Sequence, residues 1–473
     1  MLPRMRRRLA SGARTNWPLL LTLAAAVTAF APSLTSPFWL DDYFYLLAAR
    51  ELSTPDYVRA VFTPWGSEPL LPFTRDFWRP LAFLWFELLQ PLAGGNPLPY
   101  HLLVLAGHLA AVVLTWLVAA RIDERRAVRA IAAGIVAVYP GTYQAVTWIS
   151  SVNSIALPLA LGAWLAFLYG TDRPGKVRWR PVVLAVLLLA LAVMTRESGW
   201  VALPVIAGWH LAVTCRWQLR SRAAWLPLLP FAALAVAYAV IRTRLFTEPL
   251  ANREIFDWGN HAWRNYRTLL ELLLFPFRER VEGLHGWRKL LQEVSAPVIP
   301  LLTVACALLG RWRPAVLLVG ALISLLAVAP NLLGIGPRYL YFTVPWVALG
   351  LAIVAADLLA LLPLRLRTAA PAAGILLLGF GTFATFDRID EWTAWGPGQQ
   401  QQWVDALRAR HPELPPGATV YCTGNVPGWL TLFDGVNLAP AVRWYYPDAA
   451  GAVYIPPGIR PELGPGDVLF VAP

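Results

Sequence analysis

The sequence predicts an all-α polytopic membrane protein of about eleven transmembrane helices. Interfacial helices are expected in its first outer loop, and a small extracytoplasmic α/β domain after the last span. Three observations predict this. Of 473 residues, 57% are apolar and only 14% are charged, and mean hydropathy is +0.51; so few charges cannot cover a water-soluble core of this size. The apolar residues come in long runs rather than in alternation, which excludes an outer-membrane barrel. The basic residues, almost all Arg, recur in every second connection between runs, as one face of a membrane requires. The net charge of +12 is thereby explained, and no nucleic-acid partner is expected.

In chain order the runs are 17–35, 100–121, 128–142, 153–170, 180–195, 198–215, 223–242, 296–310, 314–333, 339–362 and 369–386. Several are shorter than the ~20 residues that cross a bilayer and are expected to extend into adjoining loops. Arg4, Arg6, Arg7, Arg8 and Arg14 precede the first run, and Arg121, Arg125, Arg126 and Arg129 follow the second. Next come Arg173, Lys176, Arg178 and Arg180, then Arg216, Arg220 and Arg222, then Arg311 and Arg313, then Arg365 and Arg367. The expectation is a multi-pass protein of the plasma (inner) membrane, with a cytoplasmic N-terminus and, the span count being odd, an extracytoplasmic C-terminus. The first run has no convincing small-x-small cleavage site and reads as an uncleaved helix.

The opposite face gathers carboxylates. The first outer segment, 36–99, carries Asp41, Asp42, Glu51, Asp56, Glu68, Asp76 and Glu87, and only Glu197 and Asp357 fall near membrane depth. Chemistry is therefore expected at the outer surface. Within this segment 42–51 is amphipathic, and 79–92 is apolar but too short to cross; both are expected as helices lying in the interface. A second outer segment, 243–295, contains 261–277, placed in the interface or as half of a re-entrant pair. The domains expected are 1–386 and 387–473. In the latter, 399–410 reads as a helix, and the runs ATVYCTG, GAVYI and DVLFVA, separated by Pro and Gly, read as short strands.

Five places can carry chemistry. Asp41-Asp42, about six residues past the first span, suits a general base or part of a divalent-ion site; alternatively Asp41 caps the following helix, with Asp42 in its first turn. Arg79, with Pro80 behind it and Asp76 and Trp78 ahead, can bind phosphate bidentately or anchor in the headgroups. His101 and His108 are two helical turns apart, roughly 10 Å, too far to chelate one ion; His101 can reach an outer site and His108 reads as core. Arg196-Glu197 interrupts an apolar run, costly unless paired or placed at a cavity. Arg338 with Tyr339 and Tyr341 can hold a phosphate headgroup or serve as an interface anchor. Most of the 23 Trp residues are assigned to interface belts. Cys215, Cys306 and Cys422 have no metal-knuckle spacing.

Taken in order, the strings WLDDYFYL, FWRPLAFLWFELLQPLAGGNPLPYHLLVLAGHLAAVVLTWLVA, VYPGTYQAVTWISSVNSIALPLALGAWLAF, LLLALAVMTRESGWVALPVI and GPRYLYFTVPWVALGLA resemble the animal transmembrane O-mannosyltransferases that carry tetratricopeptide repeats. These are similar to the protein O-mannosyltransferases and to the lipid A aminoarabinose transferase, all of the C-type glycosyltransferase superfold. The resemblance covers about residues 15–360. It implies transfer from a polyprenyl-phosphate-linked sugar reached from the outer leaflet, with inversion at the anomeric carbon. It also implies Asp41 or Asp42 as the base, and Arg79, Arg196 and Arg338 around the leaving phosphate. Asp76, His101, Glu197, Tyr339 and Tyr341 are further substrate-site candidates. No cofactor is required as an energy source; a divalent cation, Mg or Mn, stays open. Membrane lipids are expected partners. Two departures stand out: about 85 unrelated residues replace the repeats, and Arg196-Glu197 stands where the family often has Lys-Glu. The acceptor is thus protein, lipid or glycan, and the Arg- and Ala-rich, short-looped chain fits a bacterial protein. A non-catalytic scaffold of envelope polysaccharide assembly and a transporter are the competing readings; a transporter should show inverted repeats and midplane charges.

Overall fold

The computed structural model describes residues 16–62, 78–172, 176–245, 258–274, 287–331, 336–427, 438–456 and 459–472. The chain is mostly helical with one small sheet. Its main helices are α1 (Trp17–Phe30), α2 (Asp42–Glu51), α3 (Thr54–Phe62), α4 (Pro80–Ala93), α5 (Leu98–Ile122), α6 (Arg126–Val138), α7 (Asn153–Gly170), α8 (Trp179–Thr195), α9 (Ala202–Trp209), α10 (Leu229–Leu245) and α11 (Asn260–Leu274). They continue with α12 (Trp287–Ser295), α13 (Val298–Leu308), α14 (Trp312–Val328), α15 (Val344–Leu361), α16 (Leu364–Thr393), α17 (Gln399–Arg410) and α18 (Leu438–Tyr445). The strands are β1 (Thr419–Gly424), β2 (Gly451–Tyr454) and β3 (Val468–Ala472).

Every apolar run expected from the sequence contains a helix. Among the described residues, six helical stretches are long and apolar enough to cross a membrane, α1 with its 3-10 extension to Thr35, α5 and α15 among them. The run at 198–215 is not one regular helix. A 3-10 turn over Glu197–Val201 leads into α9, which ends in a π-helical turn over His210–Thr214.

The chain divides into two compact units: residues 1–31, 103–146 and 151–388 form one, and residues 32–102, 147–150 and 389–473 the other. In the first, α7 packs on α8, α15 on both α6 and α14, and α14 on α9 and α13. Trp164 and Trp346 are fully buried and meet edge to face at 5.3 Å. Small residues let backbones approach, as helix pairs in lipid need: a Cβ on Gly107 of α5 would lie 2.4 Å from the Ser154 carbonyl oxygen of α7. Ion pairs tie three of the basic connections together. Arg125 bridges Asp123 (2.8 Å) and Asp357 (2.7 Å), Arg311 meets Asp357 at 3.1 Å, and Arg121 shares Asp172 with Arg178. The basic connections around Arg125, Arg178 and Arg311, alternate along the chain, thus meet within this unit.

In the second unit α2 packs on α4 and α18, and α3 on α4. Its core is aromatic: Tyr43, Tyr57, Phe86 and Tyr100 are all buried, and the Tyr57 hydroxyl donates to the Phe83 carbonyl at 2.9 Å. The three strands form a parallel sheet in the order β2-β1-β3, with Val420 opposite both Ala452 and Val468. These strands lie in the three β-prone runs of the tail, and α18 returns the chain from β1 to β2, as parallel pairing demands. Residues 428–437, between β1 and α18, lie outside the described residues.

The Gly107 contact gives a direct check. Gly107→Ala puts a methyl against rigid backbone and is expected to lower stability by about 1–3 kcal/mol, read as a fall in melting temperature in detergent. An unchanged melting temperature would refute the α5–α7 approach.

Candidate active site

The acid pair sits where the chain turns from an extended entry into α2. The turn closes on itself: the Asp42 N–H donates to the Trp39 carbonyl (3.1 Å) and the Tyr43 N–H to the Leu40 carbonyl (3.2 Å). Leu40 has φ +46°, a left-handed conformation that a branched side chain adopts only when its surroundings force it. Asp42 is 1% exposed. Its Oδ2 accepts the Trp39 N–H at 2.9 Å, and its Oδ1 accepts the Ser150 N–H at 2.8 Å. One carboxylate therefore joins the turn to segment 147–150. Asp41 occupies the N-cap position and is half-buried, but its side chain makes no capping bond to α2. The expected cap is not formed. The acid of the first turn is instead the one that binds backbone amides, and it binds them outside its own helix.

Aromatic rings wall this turn. Trp39 meets Trp148 and Trp392 edge to face, each at 4.8 Å between centroids. Burial pushes the Asp42 carboxyl up and the neighbouring Asp41 charge adds to this, while the Trp39 and Ser150 amides pull it down; it comes to rest at about 7. Burial also raises the Tyr43 hydroxyl well above its usual range, so Tyr43 stays a neutral hydrogen-bonding group.

The other candidates fall in several settings. Arg79 stands at the N-cap of α4 with Pro80 at its first turn, as expected from the sequence. Asp76 lies outside the described residues. His101 is buried in the same unit, its Nε2 donating to the Ser36 carbonyl at 2.9 Å; the ring fastens the loop that leads to the acid pair. In the helical unit, Arg196 is 7% exposed at the end of α8 and donates from Nη1 to the Ser151 carbonyl at 2.5 Å, and Glu197 opens the 3-10 turn behind it. Arg338 lies over the Tyr339 ring at 5.0 Å and donates to its hydroxyl at 3.3 Å. Tyr341 departs from expectation. It is buried, and its hydroxyl donates to Nδ1 of His108 at 2.9 Å, because the Nε2 of that ring already donates to the Ala137 carbonyl. Tyr341 and His108 are a satisfied core pair, so Tyr341 does not join Arg338 and Tyr339 as a phosphate ligand.

The sequence reading missed the polar residues around Tyr339. Asn331 donates to the Tyr339 hydroxyl, and Asn265 of α11 donates to the carbonyls of Ala329 (2.9 Å) and Asn331 (3.0 Å). His261, one turn before Asn265, donates to the Pro330 carbonyl at 3.3 Å. The signal was present: two polar residues at i and i+4 on an otherwise amphipathic helix share one face. As for a metal, no group of three His, Cys, Asp or Glu side chains comes together among the described residues, and both Asp42 oxygens hold amides.

In fold the chain resembles the C-type membrane glycosyltransferases. Two solved structures share the fold: ArnT from Cupriavidus metallidurans bound to undecaprenyl phosphate (TM-score 0.52, 13% identity, 94% of this chain and 87% of that one), and the Archaeoglobus fulgidus oligosaccharyltransferase in complex with Zn and sulfate (TM-score 0.51, 13% identity, 91% and 62%). At the sequence level the chain is similar to the protein O-mannosyl-transferase TMTC3 of Mus musculus, 29% identical over 184 residues, covering 38% of this chain and 20% of that protein. It is also similar to Tmtc1 of Drosophila melanogaster, 28% identical over 186 residues, covering 38% and 21%. These relatives are named as glycosyltransferases, and the chain spans about a fifth of their length. No family model matches.

Replacing Asp42 by Ala orphans two buried amides, each costing about 1–3 kcal/mol. A clear fall in melting temperature is expected. A wild-type melting temperature in Asp42→Ala would refute the assignment of Asp42 as the anchor.

Proposed function

We propose that the protein is a membrane glycosyltransferase that moves a sugar from a polyprenyl-phosphate-linked donor to an envelope acceptor, a protein, lipid or glycan, at the outer face of the membrane and with inversion. The observation that carries this reading is the anchored acid pair. Asp42 is fixed by two backbone amides, and Asp41 beside it is half-buried without capping α2. Asp41 is then the base and Asp42 the group that orients it.

The chemistry is a single displacement. The acceptor hydroxyl gives its proton to Asp41, and its oxygen attacks the anomeric carbon. The bond from that carbon to the phosphate oxygen breaks, and the lipid phosphate leaves with the electron pair. A phosphate is a good leaving group, so orientation, a base and cationic stabilisation suffice. Arg79, Arg196 and Arg338 are the cations proposed for the leaving phosphate. Undecaprenyl phosphate in the ArnT structure favours this donor class.

The test is sugar release from a panel of polyprenyl-phosphate sugars by protein in lipid, with membrane extract as acceptor. Asp41→Asn is expected to lower kcat about 10²–10⁴-fold, the usual contribution of a general base, with folding retained. A deletion strain fully complemented by both Asp41→Asn and Asp42→Asn would overturn the mechanism and favour a scaffold. The pH profile offers a second check. Below about 7 Asp42 takes up a proton and can no longer accept both amides as a carboxylate, so kcat should fall as pH drops through that value. A rate flat between pH 5 and 8 would contradict it.

A further inference from the structure

Four consecutive glutamines, Gln399 to Gln402, open α17, and the function described so far uses none of them. They follow directly on a π-helical turn, Ala394–Gly398, a local rewinding frequent at functional sites. Gln400 is fully buried. A buried amide is costly unless it is hydrogen-bonded, and here its Oε1 accepts the Leu40 N–H at 3.3 Å, from a residue 360 positions earlier.

That amide matters because of where it lies. In the turn before α2, the N–H groups of Trp39, Asp42 and Tyr43 are bonded within the turn. Leu40's alone among these four goes outside it, and Leu40 is the left-handed residue (φ +46°) directly before the acid pair. A left-handed leucine relaxes unless it is held. Further along α2 the same C-terminal segment grips the helix. The Tyr43 hydroxyl donates to Tyr445 (3.2 Å), which donates to Gln401 (3.3 Å). Arg50 stacks on Trp444 at 4.7 Å and donates to the carbonyls of Trp444 and Arg443. Arg443 returns to Glu51 at 2.5 Å.

We propose that Gln400 is a positioning residue for the acid pair: its amide holds Leu40 in the left-handed turn from which Asp41 and Asp42 project, so the segment 389–473 acts as the support of the catalytic turn. This rests on the glycosyltransferase reading.

Gln400→Met keeps length and bulk and removes the amide. Arg410→Ala is the control, because Arg410 bonds the Val471 carbonyl and lies over Phe470, both on β3. Full-length proteins in lipid are compared by kcat, donor KM, melting temperature and deuterium exchange of residues 38–43. Gln400→Met is expected to lower kcat at least fivefold, leave donor KM within twofold, and speed exchange at 38–43. Arg410→Ala is expected to lower the melting temperature without either effect. Wild-type kcat in Gln400→Met, or a loss that Arg410→Ala reproduces, overturns the proposal. A wild type that turns over no donor sinks the glycosyltransferase reading. Even then, unchanged exchange at 38–43 in Gln400→Met refutes the hold on Leu40, and faster exchange upholds it.

Discussion

A buried carboxylate that accepts two backbone amides organises the region around the acid pair. Asp42 joins residue 39 to residue 150, which lies 108 positions after Asp42 in the chain. Two effects compete at this group. Burial disfavours its charge, and the amides favour it. Burial wins by enough to bring the carboxyl to about 7, so the group changes charge at neutral pH while its contacts define the start of α2. Such a group can be neither deleted nor freely protonated without disturbing the turn, because each orphaned amide in a dry site carries its own penalty.

The helical unit meets the same constraint in a different way. Several of its charges are matched locally. Asp357, placed near membrane depth from the sequence, binds Arg125 and Arg311, and Arg196 is bonded to a backbone carbonyl. In lipid, apolar surface supplies little drive for one helix to seek another. Close backbone approach at Gly107, edge-to-face tryptophans and paired charges supply it instead.

The sequence made helix positions legible because long apolar runs and short Arg-rich connections are strong patterns. It made the strands of the tail legible because β-prone runs were spaced by Pro and Gly. It also showed the acid pair as a place. It did not show the division of labour within the pair, because the partners of Asp42 are backbone amides, and one belongs to a distant segment with no side-chain signature. Tyr341 failed for a related reason. An Arg-Tyr-Leu-Tyr string reads as a headgroup clamp, but helical geometry turns its second tyrosine into the core to meet His108. Gln400 was hidden by its neighbours, since four glutamines in a row read as a solvated helix start. Only its burial and its bond to Leu40 reveal that one is aimed inward.

Burial also bears on how strong the proposed base can be. A carboxylate in water is a weak base, and its attraction for a transferring proton is shared with solvent. Asp42 is instead buried, its Oδ2 bonded to the backbone of Trp39, whose ring packs on Trp148 and Trp392; there the effective dielectric is lower and each charge counts for more. In the proposed mechanism Asp42, locked by two amides, holds its neighbour Asp41 in place to take the proton of an acceptor hydroxyl.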